Sequence, residues 1–210
     1  MATENLMLEK RIDALLKEYE SHRSELFIHI QLHQQTLALF LGSVSIVIPI
    51  LIGQLNAIPS TLLSGLLFLL AIIYSVISMH LATLQYNIDV MGYFIHSYIE
   101  PYLNELLPSA NENQKVLYWE TFIRNLRKKF FPLIAGTVGT TSTVILIQMP
   151  AGVALFAAIY FLLLPSTQTG IVGATVLLGI IAVVFYGVSL FSWTSVVLLE
   201  LRDFRMVKNE

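Results

Sequence analysis

Residues 36–79 have the sequence TLALFLGSVSIVIPILIGQLNAIPSTLLSGLLFLLAIIYSVISM, without a single Asp, Glu, Lys or Arg. The charge-free run is longer still, because no charged residue stands between Glu25 and Asp89. One transmembrane helix needs about 20 apolar residues, so this run can hold two spans and a turn. The polar segment GQLNAIPS at 53–60 is typical of a turn. The sequence therefore predicts a membrane hairpin here.

A second charge-free run lies between Lys129 and Glu200, with a turn-like PSTQT segment at 165–169. A charge at the bilayer centre costs about 2.5–3.5 kcal/mol, so runs without charge are expected in membrane spans. The third helix could continue past Pro150 to Leu164, which is longer than a bilayer needs, and it would then tilt, kink at the proline or protrude. The four predicted spans are 36–52, 61–79, 132–155 and 171–199.

The whole composition agrees with a chain that meets lipid. Of the 210 residues 56% are hydrophobic and only 12% are charged, against about 25% charged in soluble domains. All twelve Lys and Arg residues lie before the first span, between the second and third, or after the fourth. The positive-inside rule then places both termini and the central segment in the cytoplasm. We expect a multi-pass protein of the bacterial inner membrane.

The predicted fold class is an all-α membrane protein, with four transmembrane helices as two hairpins and cytoplasmic helical extensions. Helical spacing of apolar residues predicts that the first helix runs from the N-terminus into the first span. The second span is expected to continue past His80 until Glu100 and Pro101 bend or end it. The predicted segments are a cytoplasmic helix at 1–35, hairpins at 36–80 and 131–200, a cytoplasmic segment at 81–130 and a tail at 201–210.

Cations cluster at the cytoplasmic entrance of the third span, behind Trp119. Such cations anchor orientation and attract anionic lipid, which is the commoner role. The alternative is a binding site for a phosphorylated ligand, in which cations contact phosphates and an aromatic ring stacks on a base. The predicted ligand-binding residues are Arg23, Trp119, Arg124, Arg127, Lys128 and Lys129.

Hydroxyl groups in the third span are candidates for a water-filled path. Close helix packing is the commoner use of such small residues. The fourth span has a milder polar stripe of Tyr186, Ser189, Ser192, Trp193 and Ser195. Glu200 and Asp203 would form an acidic ring in a symmetric oligomer, although charges that simply terminate the helix fit equally. The predicted pore-lining residues are Thr137, Thr140, Thr141, Ser192, Glu200 and Asp203.

No catalytic motif, cofactor site or metal site is predicted. The chain has no cysteine, no phosphate-binding glycine loop and no nucleophile elbow. His29 and His33 share a helix face at a spacing that can hold a metal, but an interfacial polar belt is the commoner interpretation. They are also the only candidates for an enzyme acting on lipid. No ionisable residue lies within a predicted span, which argues against a proton-coupled transporter.

Several stretches resemble a group of small bacterial four-span proteins. They are RIDALLKEY at 11–19 with residues 31–35, YIEPYLNELL at 98–107, VLYWETF at 116–122 and the basic residues 124–129. The group comprises membrane effectors of anti-phage systems that pair with a nucleotidyltransferase, of the Hailong type. The resemblance implies a homo-oligomeric ion channel, such as a tetramer. A nucleotide or short oligonucleotide would open it and depolarise the infected cell.

Two function classes therefore remain. The first is the ligand-gated channel, with the lipid bilayer, further copies of the chain, the nucleotide signal and an associated nucleotidyltransferase as partners. The second is a non-catalytic scaffold that anchors a soluble partner at the inner membrane.

Overall fold

The computed structural model describes residues 2–53, 57–106, 139–163 and 169–207, and these residues are helical apart from the turn at 57–59. Four of the helices are long and apolar enough to cross a membrane, which confirms the all-helical class and is compatible with contact with a bilayer. Their crossing as two hairpins with cytoplasmic extensions remains a prediction. The helices are α1 (Ala2–Gly53), α2 (Ser60–Phe94), α3 (Glu100–Leu106), α4 (Gly139–Leu163) and α5 (Thr169–Val207), with a π-helical turn at Ile95–Ile99.

The predicted continuity of the first helix is confirmed, since α1 runs without a break from the polar N-terminal part into the apolar part. No proline or glycine interrupts it before Gly42. Pro49 falls near its end, where the break in the hydrogen-bond ladder affects only the last turns. The turn that follows ends at Pro59, whose carbonyl accepts a 2.9 Å hydrogen bond from the Leu63 N–H.

The prediction that Glu100 and Pro101 bend or end the second helix is corrected in part. The π turn replaces the α-helical pattern, with the Glu100 N–H donating to the Ile95 carbonyl, and α3 then carries the helix on to Leu106. Proline lacks an N–H and its ring crowds the carbonyl four residues earlier. The wider turn directly before Pro101 gives room for that ring, and the proline falls in the first turn of α3, where it is tolerated.

The third apolar helix reaches further along the chain than residue 155. Helix α4 passes through Pro150 and continues to Leu163, and the described part that is apolar enough to cross a membrane is Val144–Leu163. The predicted continuation past Pro150 towards Leu164 is therefore confirmed as far as Leu163. Residues 132–138 lie outside the described part of the chain. The fourth span agrees closely with its prediction, because the corresponding part of α5 is Val172–Leu198.

Helix α2 is the centre of the bundle, because both α4 and α5 pack on it more extensively than on each other. One buried face of α2 alternates spacings of three and four residues, which is the pattern of helices that cross at a shallow angle. Most side chains on it are small, and small residues let helices approach closely in lipid. This face consists of Thr61, Ser64, Phe68, Ala71, Ser75, Ser78 and Ala82.

Contacts along the bundle show that helices α1 and α2 run in opposite directions. Phe40 of α1 packs edge-on against Tyr74 of α2, and His22 packs similarly against Phe94, further back on α1 and further along α2. Helix α5 runs parallel to α2, since Gly179 lies against Phe68 and Trp193 bonds to Ser78. The beginning of α1 and the end of α5 consequently lie at the same end of the bundle.

At that end α1 and the continuation of α2 form a separate small core. Tyr19 of α1 is buried against Ile95 and Ile99 of the π turn and Leu103 of α3. We call residues 6–35 of α1 together with 81–106 the polar extension. It attaches to the spans through unbroken helix, so the two parts are joined by backbone as well as by packing.

Candidate functional site

Arg23 is the only predicted ligand-binding residue within the described residues. Trp119, Arg124, Arg127, Lys128 and Lys129 lie outside them. Arg23 is exposed on α1, where its guanidinium lies 5.9 Å from the ring centre of Tyr19 and 3.5 Å from that hydroxyl. Its charge therefore remains available at the surface of the polar extension, held in place by an aromatic ring.

A second cation of the polar extension, Arg11, lies 5.5 Å above the ring of Tyr102. One turn before Tyr102, Tyr98 is 60% exposed and its ring stacks on that of Phe94 at 5.6 Å. The polar extension thus carries both cations and exposed aromatic side chains, the types of group that contact a phosphorylated planar ligand. The sequence prediction missed Tyr98 and Phe94, although their helical spacing beside a basic helix was a usable signal.

Directly after the π turn, α3 begins with a buried carboxylate. Glu100 is buried at the side-chain level, and its Oε2 lies 3.1 Å from Nδ1 of His96. Its other oxygen, Oε1, has no hydrogen-bond partner in the described structure. π turns inside helices are frequent at functional positions. The pair adjoins the core that joins α1 to α3, so it contributes to the geometry of the polar extension.

Among the predicted pore-lining residues, the structure describes the side chain of Ser192 alone. Thr137 lies outside the described residues. Thr140 and Thr141 lie in α4, and Glu200 and Asp203 in α5, but the described structure does not extend to their side chains. The hydroxyl of Ser192 donates to the carbonyl of Val188 in its own helix at 3.0 Å. Nothing in this geometry favours Ser192 as pore-lining, and the pore role of all six stays a prediction.

A buried hydrogen-bonded cluster joins the three packed spans instead, and we call it the polar node. It consists of Ser78 on α2, Gln148 on α4, and Ser189 and Trp193 on α5. The amide nitrogen of Gln148 donates to Ser78 Oγ at 3.0 Å and to Ser189 Oγ at 2.8 Å. The indole nitrogen of Trp193 donates to Ser78 Oγ at 2.9 Å. Gln148 is only 4% exposed, so these bonds are made away from solvent.

The sequence prediction placed Ser189 and Trp193 on a polar stripe but missed Gln148 and Ser78. A glutamine in the middle of an apolar span was the available signal, because a buried amide needs partners. Which helices supply those partners depends on how each helix is rotated about its axis. A single sequence does not give that rotation.

At the opposite end of the bundle the contacts are steric. A Cβ atom on Gly179 would lie 2.9 Å from the Phe68 ring. A hydrogen bond accompanies this contact, from Ser64 Oγ to the carbonyl of Ala158 at 2.8 Å. Between this level and the polar node, a Cβ atom on Gly152 would lie 2.9 Å from the Tyr186 hydroxyl. About 21 Å of helix separates Ser64 from the level of Ser78, at 1.5 Å per residue. We call this second level the close-packed layer.

Within the described residues no three His, Asp or Glu side chains come together in a way that would hold a metal ion. Nδ1 of His29 and Nε2 of His33 are buried without hydrogen-bond partners in that part of the chain. The two histidines lie where α1 passes from its polar to its apolar part.

Comparison of the chain with protein families, with curated proteins and with solved structures finds no match in any of the three.

Proposed function

We propose that this protein is a membrane effector that forms an oligomeric ion channel, opened by a nucleotide or oligonucleotide signal at its polar extension. In a bacterial inner membrane the extension would face the cytoplasm, and opening would depolarise the cell in anti-phage defence. The sequence resemblance supports this role. The lack of ionisable residues in the four apolar segments favours a passive channel over a proton-coupled transporter.

One observation carries the proposal, namely the unbroken path of helix between the polar extension and the spans. Helix α1 covers both, and α2 continues through the π turn into α3. The two helices meet in the extension through Tyr19 and Leu103 and meet again between the spans through Phe40 and Tyr74. A ligand that changed the angle between the helices in the extension would therefore move α1 against α2 in the membrane.

In the polar extension, Arg11 and Arg23 would contact the anionic groups of a planar ligand, and Tyr98 and Phe94 provide exposed rings. Six acidic residues accompany the four cations of α1, so this helix alone is a poor nucleic-acid binder. Arg124, Arg127, Lys128 and Lys129 would add to this charge from the segment that precedes α4. Such a ligand opens the channel only to the extent that it binds the open form more tightly than the closed form.

Self-association is supported by apolar surface outside the membrane region. Phe27 is 67% exposed and Met7 is 74% exposed on the polar extension of α1. Ile28 and Leu32 are also exposed near Phe27, as are Leu6 and Leu8 beside Met7, and contiguous exposed apolar side chains are typical of a contact with another protein surface. In the proposed channel that surface belongs to a second copy of the chain, which gives the homo-oligomer.

The test is ion flux from liposomes that contain the purified protein. Potassium-loaded vesicles are treated with linear and cyclic di-, tri- and tetranucleotides, and the membrane potential is followed with a fluorescent dye. We expect at least one oligonucleotide to discharge the potential in vesicles with protein and none to do so in empty vesicles. The double variant Arg127→Gln/Lys128→Gln should need a higher concentration, whereas Arg205→Gln in the tail should respond normally. A flux that no oligonucleotide changes would reject the proposal.

The alternative function is an anchor for a soluble partner, and the same exposed Phe27 and Met7 are the observation that favours it. An anchor predicts no conductance under any of these conditions. It also predicts that a soluble protein encoded beside this one purifies with it in a fixed ratio. Phe27→Ser would abolish that association without changing the insertion of the protein into membranes.

A further inference from the structure

The polar node contains more polar atoms than its own hydrogen bonds satisfy. Gln148 Oε1 is buried and has no partner among the described residues. The same holds for the hydroxyls of Tyr74 and Ser75, and both side chains are 1% exposed or less. On α2 these two residues precede Ser78 by four and three positions, so all three lie on one patch within about one helical turn. Tyr74 and Ser75 therefore lie within about one turn of the serine to which the Gln148 amide donates.

Exchanging the oxygen and nitrogen of the Gln148 amide does not give every polar atom of the amide a hydrogen-bond partner. In the present orientation the nitrogen uses both hydrogens, one for Ser78 and one for Ser189, and the oxygen accepts nothing. In the exchanged orientation the two serine hydroxyls would donate to the oxygen, and both N–H groups would lack an acceptor. One end of the amide thus lacks a protein partner in either case.

We propose that the polar node binds one ordered water molecule, held by Gln148, Tyr74 and Ser75. A buried water makes about three hydrogen bonds, and these three groups offer that number. The carboxamide oxygen accepts from the water, whereas the two hydroxyls can each donate or accept. Leaving three polar atoms unpaired in a buried, apolar setting costs more than immobilising one water molecule.

A metal cation fits this site poorly. The three groups are neutral, and hard divalent cations take six or more oxygen ligands, of which several are charged. Three neutral oxygens would leave most of the ion's hydration shell unreplaced in a region that lipid surrounds. Water is therefore the ligand that the charge and number of the groups select.

The water site deepens the proposed function, on which its role in gating depends. The polar node is the point where α2, the helix continuous with the polar extension, is hydrogen-bonded to both α4 and α5. A bound water lets these bonds exchange partners as α2 moves, so that no polar atom is left unpaired during opening. Gln148 is accordingly a positioning residue for gating and does not contact the nucleotide signal.

The water is tested through the indole N–H of Trp193, which donates to Ser78 in the same node. The chain has two tryptophans, so Trp119→Phe leaves Trp193 as the sole indole signal in a protein with ¹⁵N-labelled tryptophan in micelles. We expect a magnetisation-transfer peak between this indole proton and water in the otherwise native protein. Tyr74→Phe and Ser75→Ala, each made separately, should weaken the peak, and the two together should remove it. Ser64→Ala in the close-packed layer should leave it unchanged.

Absence of the water peak in the Trp119→Phe protein would overturn the proposal, and so would a peak of full intensity after both changes. Retention of the indole chemical shift in Ser75→Ala shows that the node has kept its fold. The role in gating is separate: Tyr74→Phe/Ser75→Ala should shift the nucleotide concentration needed for liposome flux while nucleotide binding by equilibrium dialysis still occurs. If no nucleotide opens the native protein but the water peak is present, the proposed function fails and the water site stands.

Discussion

Helices α1 and α2 are both long and both pass from an apolar to a polar part, yet they are packed very differently. In the most apolar window of α1 only 6% of the residues are buried, against 44% in that of α2. Among the described side chains of the α1 span, Phe40 alone is fully buried, and large residues such as Leu39, Ile46 and Ile50 are exposed. The described part of the chain therefore covers α2 but leaves α1 open on most sides.

The difference indicates which helix is free to move. Helix α2 packs on α1, α4 and α5, so shifting it disturbs three interfaces, whereas α1 packs chiefly on α2 within the described residues. The exposed faces of α1 are apolar, so they can meet lipid tails or a second copy of the chain at little cost. A movement of α1 that begins in the polar extension would thus be resisted mainly by its contacts with α2.

The largest expected contrast comes from adding the same side chain to a glycine in each region. Gly179 lies against Phe68 on α2, where a single Cβ atom would already approach the ring to 2.9 Å. Gly179→Leu should therefore destabilise the bundle by about 3 kcal/mol or more, because overpacking forces helices apart. Gly42→Leu on α1 has no atom within 4 Å of the new Cβ and should be tolerated. Unfolding in increasing SDS, followed by circular dichroism, measures the stability of both variants. An equal loss of stability in the two would refute the contrast.

The next contrast concerns Phe40, which is buried against α2. Phe40→Ala should lower the free energy of unfolding by about 2 kcal/mol, below the roughly 3–5 kcal/mol typical of soluble cores, because lipid solvates the ring when the helices separate. The neighbouring change Leu39→Ala should have little effect, since Leu39 is 75% exposed. The chain lacks cysteine, so a disulfide between cysteines introduced at Leu37 and Ile77 reports the contact without background. Slower cross-linking is expected for Phe40→Ala alone.

A smaller effect is expected where a glycine meets the end of a side chain. Gly152→Ala places its Cβ 2.9 Å from the hydroxyl of Tyr186 but 3.4 Å from the ring carbon that bears it. The clash is thus with one oxygen atom, and we expect a cost of about 1 kcal/mol. Tyr186→Phe removes that oxygen and should restore most of the stability in the double variant. SDS unfolding of the four proteins gives the coupling energy, and additive losses would show that the oxygen is not the cause.

The sequence was sufficient to predict the helices but not to predict the contacts between them. Two long runs without charge predicted four apolar helices, because the cost of a charge in lipid acts on each segment by itself. The polar node depends on Ser78, Gln148 and Ser189 facing one another, which requires the rotation and offset of three helices. The π turn before Pro101 was likewise unpredicted, because α-helical and π-helical turns use the same residue types. The polar stripe on α5 was visible, but its partner on α4 was not.

The smallest contrast tests whether a serine hydroxyl contributes to stability only where its hydrogen bond connects two helices. Ser64 Oγ donates across the close-packed layer to Ala158, whereas Ser45 Oγ on α1 donates to Leu41 in its own helix at 2.8 Å. Hydrogen bonds between transmembrane helices contribute about 0.6 kcal/mol on average. We expect Ser64→Ala to lower the free energy of unfolding in SDS by about that amount. Ser45→Ala should leave it unchanged, since the Leu41 carbonyl keeps its helical hydrogen bond. A loss at Ser45 as large as that at Ser64 would mean that α1 is held by contacts beyond its line against α2, and the freedom inferred for α1 would no longer follow.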